Sequence, residues 1–217
     1  ENTIVSSGIN TSFEQYKNIF TKLGFNVTYD DLRTDGSASN SLKKQSGEFA
    51  ELAGIYGFSF DGRDRSFMPT KGSIFGFEQT LPFYADKSYI SNTITYSKYN
   101  SFSESIVGAG KIYLSAINGI NNDDVRISKR KNISTKRLRG FEKGKIGPKD
   151  GKDHVGGNYA AALSLEANLP NLLPENTRTD VSLFLDFGNV WGVDYDSSID
   201  QSNELRSSTG VAASWSS

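Results

Sequence analysis

The sequence lacks cysteine and contains one histidine and one methionine. Without cysteine it has neither a disulfide framework nor a thiolate zinc site. The single histidine, His154, excludes a metal site built from several histidines and leaves one candidate base for a Ser-His-Asp triad. The Gly-x-Ser-x-Gly nucleophile elbow is missing as well. We therefore predict neither an enzyme nor a bound cofactor.

Long hydrophobic runs and an excess of charge of one sign are also missing. The net charge of −1 gives no reason to expect a nucleic-acid partner, because phosphate binding needs a basic excess. No stretch approaches the roughly 18 apolar residues of a membrane helix, and the first residues begin a strand pattern rather than a signal peptide. The low mean hydropathy of −0.47 does not exclude a membrane protein. In a β-barrel only alternate residues of a strand face lipid.

What the sequence has in abundance is alternation of polar and apolar residues, with 12% aromatic residues and 21 glycines. Alternation with a period of two is typical of strands that have two unlike faces. In the second such segment Leu23, Phe25 and Val27 share one face, and Asn26 and Thr28 share the other. About nine segments show the pattern, near residues 3–13, 19–30, 51–61, 73–82, 88–99, 105–115, 158–169, 181–188 and 206–216.

Segment length and connection length predict an all-β, antiparallel transmembrane β-barrel. The segments approach the roughly 9–11 residues that cross a bilayer with tilt, whereas strands of a β-sandwich, the alternative, average about five or six. The longer connections, 31–47, 116–157 and 192–205, fall at every second junction and so emerge at one end. Bacterial barrels have an even number of strands. An odd count that starts and stops within strands therefore predicts an incomplete barrel spanning residues 1–217 as one domain.

The connection 116–157 contains the motif Arg139-Gly140-Phe141. An arginine fork can pair carboxylates at two positions, glycine allows a turn that other residues avoid, and phenylalanine supplies a rigid apolar anchor. A connection of this length is usually either functional or disordered. From these residues alone, a functional segment and a solvated basic loop both remain open.

Glu166 and Asp186 lie on the polar faces of two consecutive strands whose other faces are apolar. If those strands pair as a hairpin, both carboxylates enter the barrel lumen close to each other. Two nearby carboxylates repel, and a cation in the lumen would relieve the repulsion. The alternative is two ordinary lumenal charges in water.

Three other motifs do not support a ligand site. The segment 140–145 resembles a phosphate-binding loop but has too few residues between its glycines, and Ile146 stands where Ser or Thr is required. The acidic segment 194–200 lacks the central Gly and closing Glu of a calcium loop. His154 lies in a polar loop, where we expect no catalytic role. No metal ligands are predicted.

Several motifs together resemble the BamA family of outer-membrane protein assembly factors, in the same order and over essentially the whole chain. The segment Arg65–Gly72, with its Phe-x-Pro-Thr-x-Gly pattern, is similar to a periplasmic turn of that barrel. The other matching segments are Arg137–Pro148, Gly156–Asn158, Leu163–Glu166 and Phe184–Trp191.

The resemblance implies that the loop within 116–157 is extracellular and folds back into the lumen. There Arg139 would be the lock, Gly140 the turn that presents it, and Phe141 an anchor, with Glu166 and Asp186 as the receptor. It also implies periplasmic POTRA domains ahead of a roughly sixteen-stranded barrel. About five strands at the start and two at the end of that barrel would be absent here, together with the lateral seam that they form.

The function implied by the resemblance is folding and insertion of β-barrel proteins in a Gram-negative outer membrane, without covalent chemistry. The implied partners are unfolded outer-membrane protein clients, accessory lipoproteins of the BAM type and outer-membrane lipid. Alternatives at this point are a TamA-like or two-partner secretion translocator, a passive porin and, in last place, a barrel enzyme.

Overall fold

The computed structural model describes residues 2–121, 123–174, 177, 179–194, 197–199 and 204–215. Within these residues nine long strands form one antiparallel sheet, in which each strand pairs with the next along the chain. The long strands are β1 (Asn2–Tyr16), β2 (Ile19–Leu32), β3 (Gly47–Asp61), β4 (Gly72–Ala85), β5 (Tyr89–Ser103), β6 (Ile106–Gly119), β9 (Tyr159–Asn168), β10 (Thr179–Trp191) and β11 (Arg206–Trp215). The predicted all-β antiparallel class and its nine strands are confirmed.

Short elements lie in the described parts of the connections, among them the 3-10 helices Ile127–Lys129 and Ser197–Ile199. A five-residue helix, α1 (Asn40–Lys44), follows β2. Two-residue strands β7 (Lys149–Asp150) and β8 (Asp153–His154) form a small hairpin between β6 and β9. Among the described residues, no helix is both long and apolar enough to span a membrane.

The two faces of the sheet follow the alternation in the sequence. Phe25 and Val27 of β2 are exposed on the outer face, whereas Thr28 and Asp30 are buried on the inner face. The same division runs through β9 and β10, where Leu165 is exposed and Ser164 is buried. Apolar residues on the outside and polar residues on the inside are the arrangement of a transmembrane β-barrel.

One hydrogen-bonded pair of amides interrupts the apolar outer face. Gln79 of β4 lies directly opposite Asn92 of β5, and its Nε2 donates to Asn92 Oδ1 at 2.8 Å. A polar side chain in hydrocarbon needs such a partner, because lipid offers none. The two side-chain amides therefore satisfy one donor and one acceptor between them.

The connections differ in length between the two ends of the sheet. The long ones, 33–46, 120–158 and 192–205 (the last described in part), share one end with the short turn at 86–88. Turns 17–18 and 104–105 lie at the opposite end with the connections 62–71 and 169–178. Because β6 extends to Gly119, the longest connection begins later than residue 116, where the sequence placed it.

That longest connection, 120–158, packs against the inner face of the sheet; we refer to it as the long loop. Its residues Ile133, Leu138 and Ile146 form a buried apolar cluster with Ala160 of β9 and Val190 of β10, among others. Gly147 has a φ of +99°, and a Cβ atom there would lie 2.7 Å from Val190 Cβ. Glycine is therefore required where this part of the long loop meets β10.

The face assignment predicts that arginine is tolerated very differently at Leu183 and at Ser59. Leu183 is 51% exposed on the outer face, and Leu183→Arg should cost about 2–4 kcal/mol near the bilayer midplane. Ser59 lines an inner cavity of about 280 Å³ beside Glu78, so Ser59→Arg should cost much less. Urea titration of the full-length protein in liposomes measures both values. Equal losses of stability would contradict the assignment of faces.

Candidate functional site

Arg139 of the long loop binds Asp186 of β10 through three hydrogen bonds. Its Nε donates to Asp186 Oδ2 at 2.7 Å and its Nη2 to Asp186 Oδ1 at 2.7 Å, which is the two-pronged geometry of a guanidinium on a carboxylate. Its backbone N–H donates to Asp186 Oδ2 at 3.1 Å. The Asp186 side chain is 0% exposed and that of Arg139 is 20% exposed. The pair is therefore largely withdrawn from water.

Glu166 of β9 is the second carboxylate at Arg139, with its Oε1 2.9 Å from Arg139 Nη2. Ser164 lies between the two acids: its hydroxyl accepts from Arg139 Nη2 at 2.8 Å and is 2.6 Å from Asp186 Oδ1. On the other side, Lys111 Nζ of β6 donates to Glu166 Oε2 at 2.5 Å. Two cations thus neutralise two anions, which removes the repulsion between the carboxylates.

Strand register brings these groups together. Asp186 is the direct cross-strand partner of Ser164, and Phe184 is the partner of Glu166. The Phe184 ring lies under the guanidinium of Arg139, with the Cζ atom 3.7 Å from the ring centroid. This distance suits a cation–π contact, and the ring also shields the ion pair from water.

The residues after Arg139 shape the loop around it. Gly140 has a φ of +83°, in the left-handed region that glycine adopts without strain, while a Cβ there would meet only Ser208 at 3.7 Å. The backbone angle, not a lack of space, therefore requires glycine. Phe141 packs against the apolar cluster of the long loop. The structure places all five predicted site residues here; we call Arg139, Glu166 and Asp186 the loop lock.

Sequence reasoning missed three contributors to the loop lock: Lys111, Ser164 and Phe184. Ser164 and Phe184 lie two residues before Glu166 and Asp186, respectively, so alternation already put them on the same inner face. The pairing of β6 with β9 sets Lys111 opposite Ser164. Alternation gave the face of each residue but not this register.

A second group of ion pairs, which the sequence reasoning also missed, holds the first part of the long loop. Arg126 Nη2 lies 3.1 Å from Asp30 Oδ2 of β2, and both side chains are buried. Lys129 Nζ lies 3.0 Å from Glu51 Oε1 of β3. The remaining contacts in this group join Arg130 to Asp194 at 2.5 Å and Lys131 to the Ser91 hydroxyl at 2.6 Å. The available signal was the basic run 126–131 together with inward-facing acids.

The connection 33–46 is hydrogen-bonded to the long loop. Gln45 accepts from Ile127 N–H at 2.6 Å and donates to the Val125 carbonyl at 3.1 Å. Ser41 donates through its N–H and its hydroxyl to Asp150 beside the tip of the β7–β8 hairpin, at 3.0 and 2.6 Å. Helix α1 thus depends on the long loop for part of its capping.

The structure shows contacts of residues from two of the motifs that the sequence analysis set aside, His154 and Asp194. Partial burial lowers the pKa of the His154 imidazole, and Lys145 and Lys149 lower it further. The buried His154 Nδ1 atom has no hydrogen-bond partner among the residues that the structure describes. Asp194 is bound to Arg130, whereas residues 195, 196 and 200 of the acidic segment lie outside the described residues. No group of metal-ligating side chains occurs in the part of the chain that the structure describes.

The loop lock predicts strongly non-additive mutant effects. Removing one partner of a buried ion pair costs roughly 3–5 kcal/mol, and water in the lumen should keep the loss for Arg139→Ala near the lower value. Arg139→Lys should lose less stability than Arg139→Ala without reaching that of the natural sequence, since an ammonium cannot bind both oxygens of Asp186 as a guanidinium does. Asp186→Asn should cost more than Glu166→Gln, because Asp186 accepts three hydrogen bonds from Arg139 whereas Glu166 makes a single contact with it. Urea titration of the full-length protein gives these free energies of unfolding.

The matched control for this cycle is Arg137→Ala, which removes an arginine of the same loop that stacks on Tyr113. Its effect should add to that of Asp186→Asn, whereas Arg139→Ala and Asp186→Asn should couple by about 0.5–3 kcal/mol. Additive effects of Arg139→Ala and Asp186→Asn would show that these residues do not form the pair.

The second group of ion pairs predicts a large effect of Arg126→Ala. The substitution leaves Asp30 buried, with Ser128 among its remaining partners. We expect a loss of about 3 kcal/mol in the free energy of unfolding. Arg33→Ala, at an exposed arginine paired with Asp31, should change it by no more than about 0.5 kcal/mol. A similar small loss for both variants, in the same urea titration, would contradict the proposed anchoring of the long loop.

Comparison with proteins of known structure shows the same barrel. The chain superposes on the crystal structure of BamA from Haemophilus ducreyi lacking POTRA domains 1–3 with a TM-score of 0.85 and 23% sequence identity. The match covers 100% of this chain and 48% of that chain. At this identity the likeness establishes the fold, so the predicted incomplete barrel architecture is confirmed.

Sequence comparison points to the same group. The chain is 25% identical over 206 residues to the outer membrane protein assembly factor BamA of Neorickettsia risticii, covering 90% of this chain and 27% of the relative. It is 26% identical to BamA of Nitratidesulfovibrio vulgaris over 195 residues, covering 86% of this chain and 24% of the relative. A SAM50-like protein of Schizosaccharomyces pombe is 30% identical over 146 residues, covering 61% of this chain and 30% of the relative.

The chain spans about a quarter of the length of the curated BamA relatives that it matches. The Omp85 superfamily domain matches residues 2–217. The resemblance to BamA found in the sequence is thereby confirmed. The chain belongs to the Omp85 superfamily.

Proposed function

We propose that the full-length protein folds β-barrel proteins and inserts them into the bacterial outer membrane. The observation that carries the proposal is the loop lock, in which Arg139 joins the long loop to Asp186 and Glu166 inside an Omp85 barrel. Two of the relatives above bear the name outer membrane protein assembly factor. The chain itself is part of a barrel of the Gram-negative outer membrane, as the sequence predicted.

The physical problem in such an assembly step is the edge of an unpaired strand. Backbone N–H and C=O groups without partners are strongly disfavoured in hydrocarbon, so a client strand must be paired before it enters the bilayer. A barrel that can open or deform offers partners for that edge. Its own inner face must then be held in a defined shape, and the long loop bound across β9 and β10 supplies that support.

Each residue of the site has a proposed role that involves no covalent chemistry. Arg139 is the lock, and Asp186 and Glu166 are its receptor. Gly140 supplies the turn and Phe141 the apolar anchor. Polar contacts suit a loop that must rearrange, because each group can bind water when it is released. We propose unfolded outer-membrane clients, accessory lipoproteins and membrane lipid as the partners, and no cofactor.

The proposal predicts that loosening the loop lock reduces client assembly. In cells depleted of the natural protein, Arg139→Ala should lower the yield of heat-resistant client barrels severalfold, and Arg139→Lys should lower it less. Lys143→Ala, at an exposed lysine of the same loop, is the matched control and should leave the yield unchanged. The amount of the variant protein in the membrane is measured in parallel.

Three outcomes would overturn the proposal. Normal client yield with Arg139→Ala, once the loop is shown to be released, would separate the loop lock from assembly. Large ion conductance that is indifferent to Arg139, together with normal client yield, would favour a passive porin. Loss of secretion of a single partner protein, with other barrels unaffected, would favour a translocator of the TamA or two-partner type.

A further inference from the structure

A cavity of about 180 Å³ lies between the long loop and the inner wall of the barrel, next to the loop lock. Its walls come from both sides: Lys136 and Arg137 belong to the long loop, and Lys111 and Tyr113 belong to β6. Two hydroxyl residues of β5, Thr95 and Ser97, complete one wall. Three cations and the hydroxyl groups of Thr95, Ser97, Ser164 and Tyr113 therefore line one small space.

The cations at this cavity exceed the carboxylates available to them. Lys111 already shares Glu166 with Arg139. Glu78 of β4 is bound by Lys22 at 2.7 Å, and Asp180 of β10 acts on Lys111. Lys136 and Arg137 have no carboxylate partner among the described residues; Arg137 instead lies over the Tyr113 ring, its Cζ atom 4.0 Å from the centroid. Positive charge thus remains unpaired on the loop side of the cavity.

We propose that this cavity binds a small water-borne oxyanion, either phosphate or a carboxylate. Guanidinium and ammonium groups are the usual partners of such oxygens, and the hydroxyls of Thr95 and Ser97 can donate further hydrogen bonds. The site faces the lumen, so a lipid headgroup does not reach it. It lies beside the loop lock but shares none of the three residues that define the lock.

The bound anion stabilises the docked form of the long loop. Two cations of the cavity, Lys136 and Arg137, move with the loop, whereas Lys111 is fixed on β6. An anion held by all three joins the loop to the wall and is lost when the loop leaves. Because the ligand binds the docked form alone, it shifts the docking equilibrium by the factor 1 + [L]/Kd. This effect of the anion on docking of the loop does not depend on whether the protein assembles clients.

The direction of this effect separates it from simple salt screening. Raising ionic strength weakens exposed ion pairs, since the screening length is about 10 Å at 0.1 M. Chloride should therefore loosen the loop or leave it unchanged. A specific oxyanion at the same ionic strength should tighten it.

The experiment measures thiol labelling of Ile133→Cys in the full-length protein in liposomes. Ile133 is 3% exposed in the docked loop, and the chain has no other cysteine, so a maleimide reports release of the loop in a background freed of other thiols. Labelling is compared in sodium phosphate, sodium acetate and sodium chloride at one ionic strength and pH. At a phosphate concentration equal to Kd, the labelling rate should be half that in chloride.

Acetate identifies the ligand class. Slowing by phosphate alone assigns a phosphoryl group, and slowing by both anions admits a carboxylate; either result supports the site. Equal rates in all three salts overturn it.

Two variants and one control localise the effect. Lys136→Gln with Arg137→Gln should abolish the difference between phosphate and chloride. Thr95→Val, which keeps every charge, should raise the phosphate concentration needed for half of the effect. The control, Lys143→Gln with Lys152→Gln, removes the same charge from positions of the loop that do not line the cavity and should keep the full response. A phosphate effect that survives loss of Lys136 and Arg137 would overturn the assignment. Heat-resistant mobility of each variant verifies that its barrel has folded.

Discussion

The buried carboxylate of Asp186 is the constraint on which the inner face depends. An isolated charge withdrawn from water is strongly disfavoured, so Asp186 needs a partner for as long as the loop covers it. Arg139 supplies that partner through two side-chain bonds and one backbone bond. The chain that carries Arg139 must therefore lie against the wall. The path of the long loop, the turn at Gly140 and the packing of Phe141 are arranged around this one contact.

Strand register determines which side chains of the barrel wall surround this contact. The pairing of β9 with β10 sets Ser164 opposite Asp186 and Phe184 opposite Glu166. A slip of one residue would turn each of these groups toward lipid. Buried ion pairs add little net stability over an apolar alternative, yet they penalise wrong arrangements severely. The loop lock thus specifies where the loop docks, while the small apolar cluster around Leu138 adds packing energy.

Most of what could be predicted from the sequence came from the alternation of polar and apolar residues. It reports which face a residue occupies, so the nine strands and the inward direction of Glu166 and Asp186 could be inferred. It carries no information on register across the long loop, and the contact of Lys111 with Glu166 therefore stayed hidden. Helix α1 escaped notice for a different reason. Five residues are too few for helical periodicity, and its capping partner Asp150 is remote in sequence.

Hydrogen exchange of the long loop in the full-length, membrane-embedded protein tests the central claim most directly. The Arg139 amide donates to a fully buried carboxylate, and the neighbouring residues pack against the strands. We expect the backbone amides of residues 137–139, each of which donates a hydrogen bond in the docked loop, to exchange as slowly as those of β9 and β10. Exchange at the rate of an open, solvated loop would contradict it.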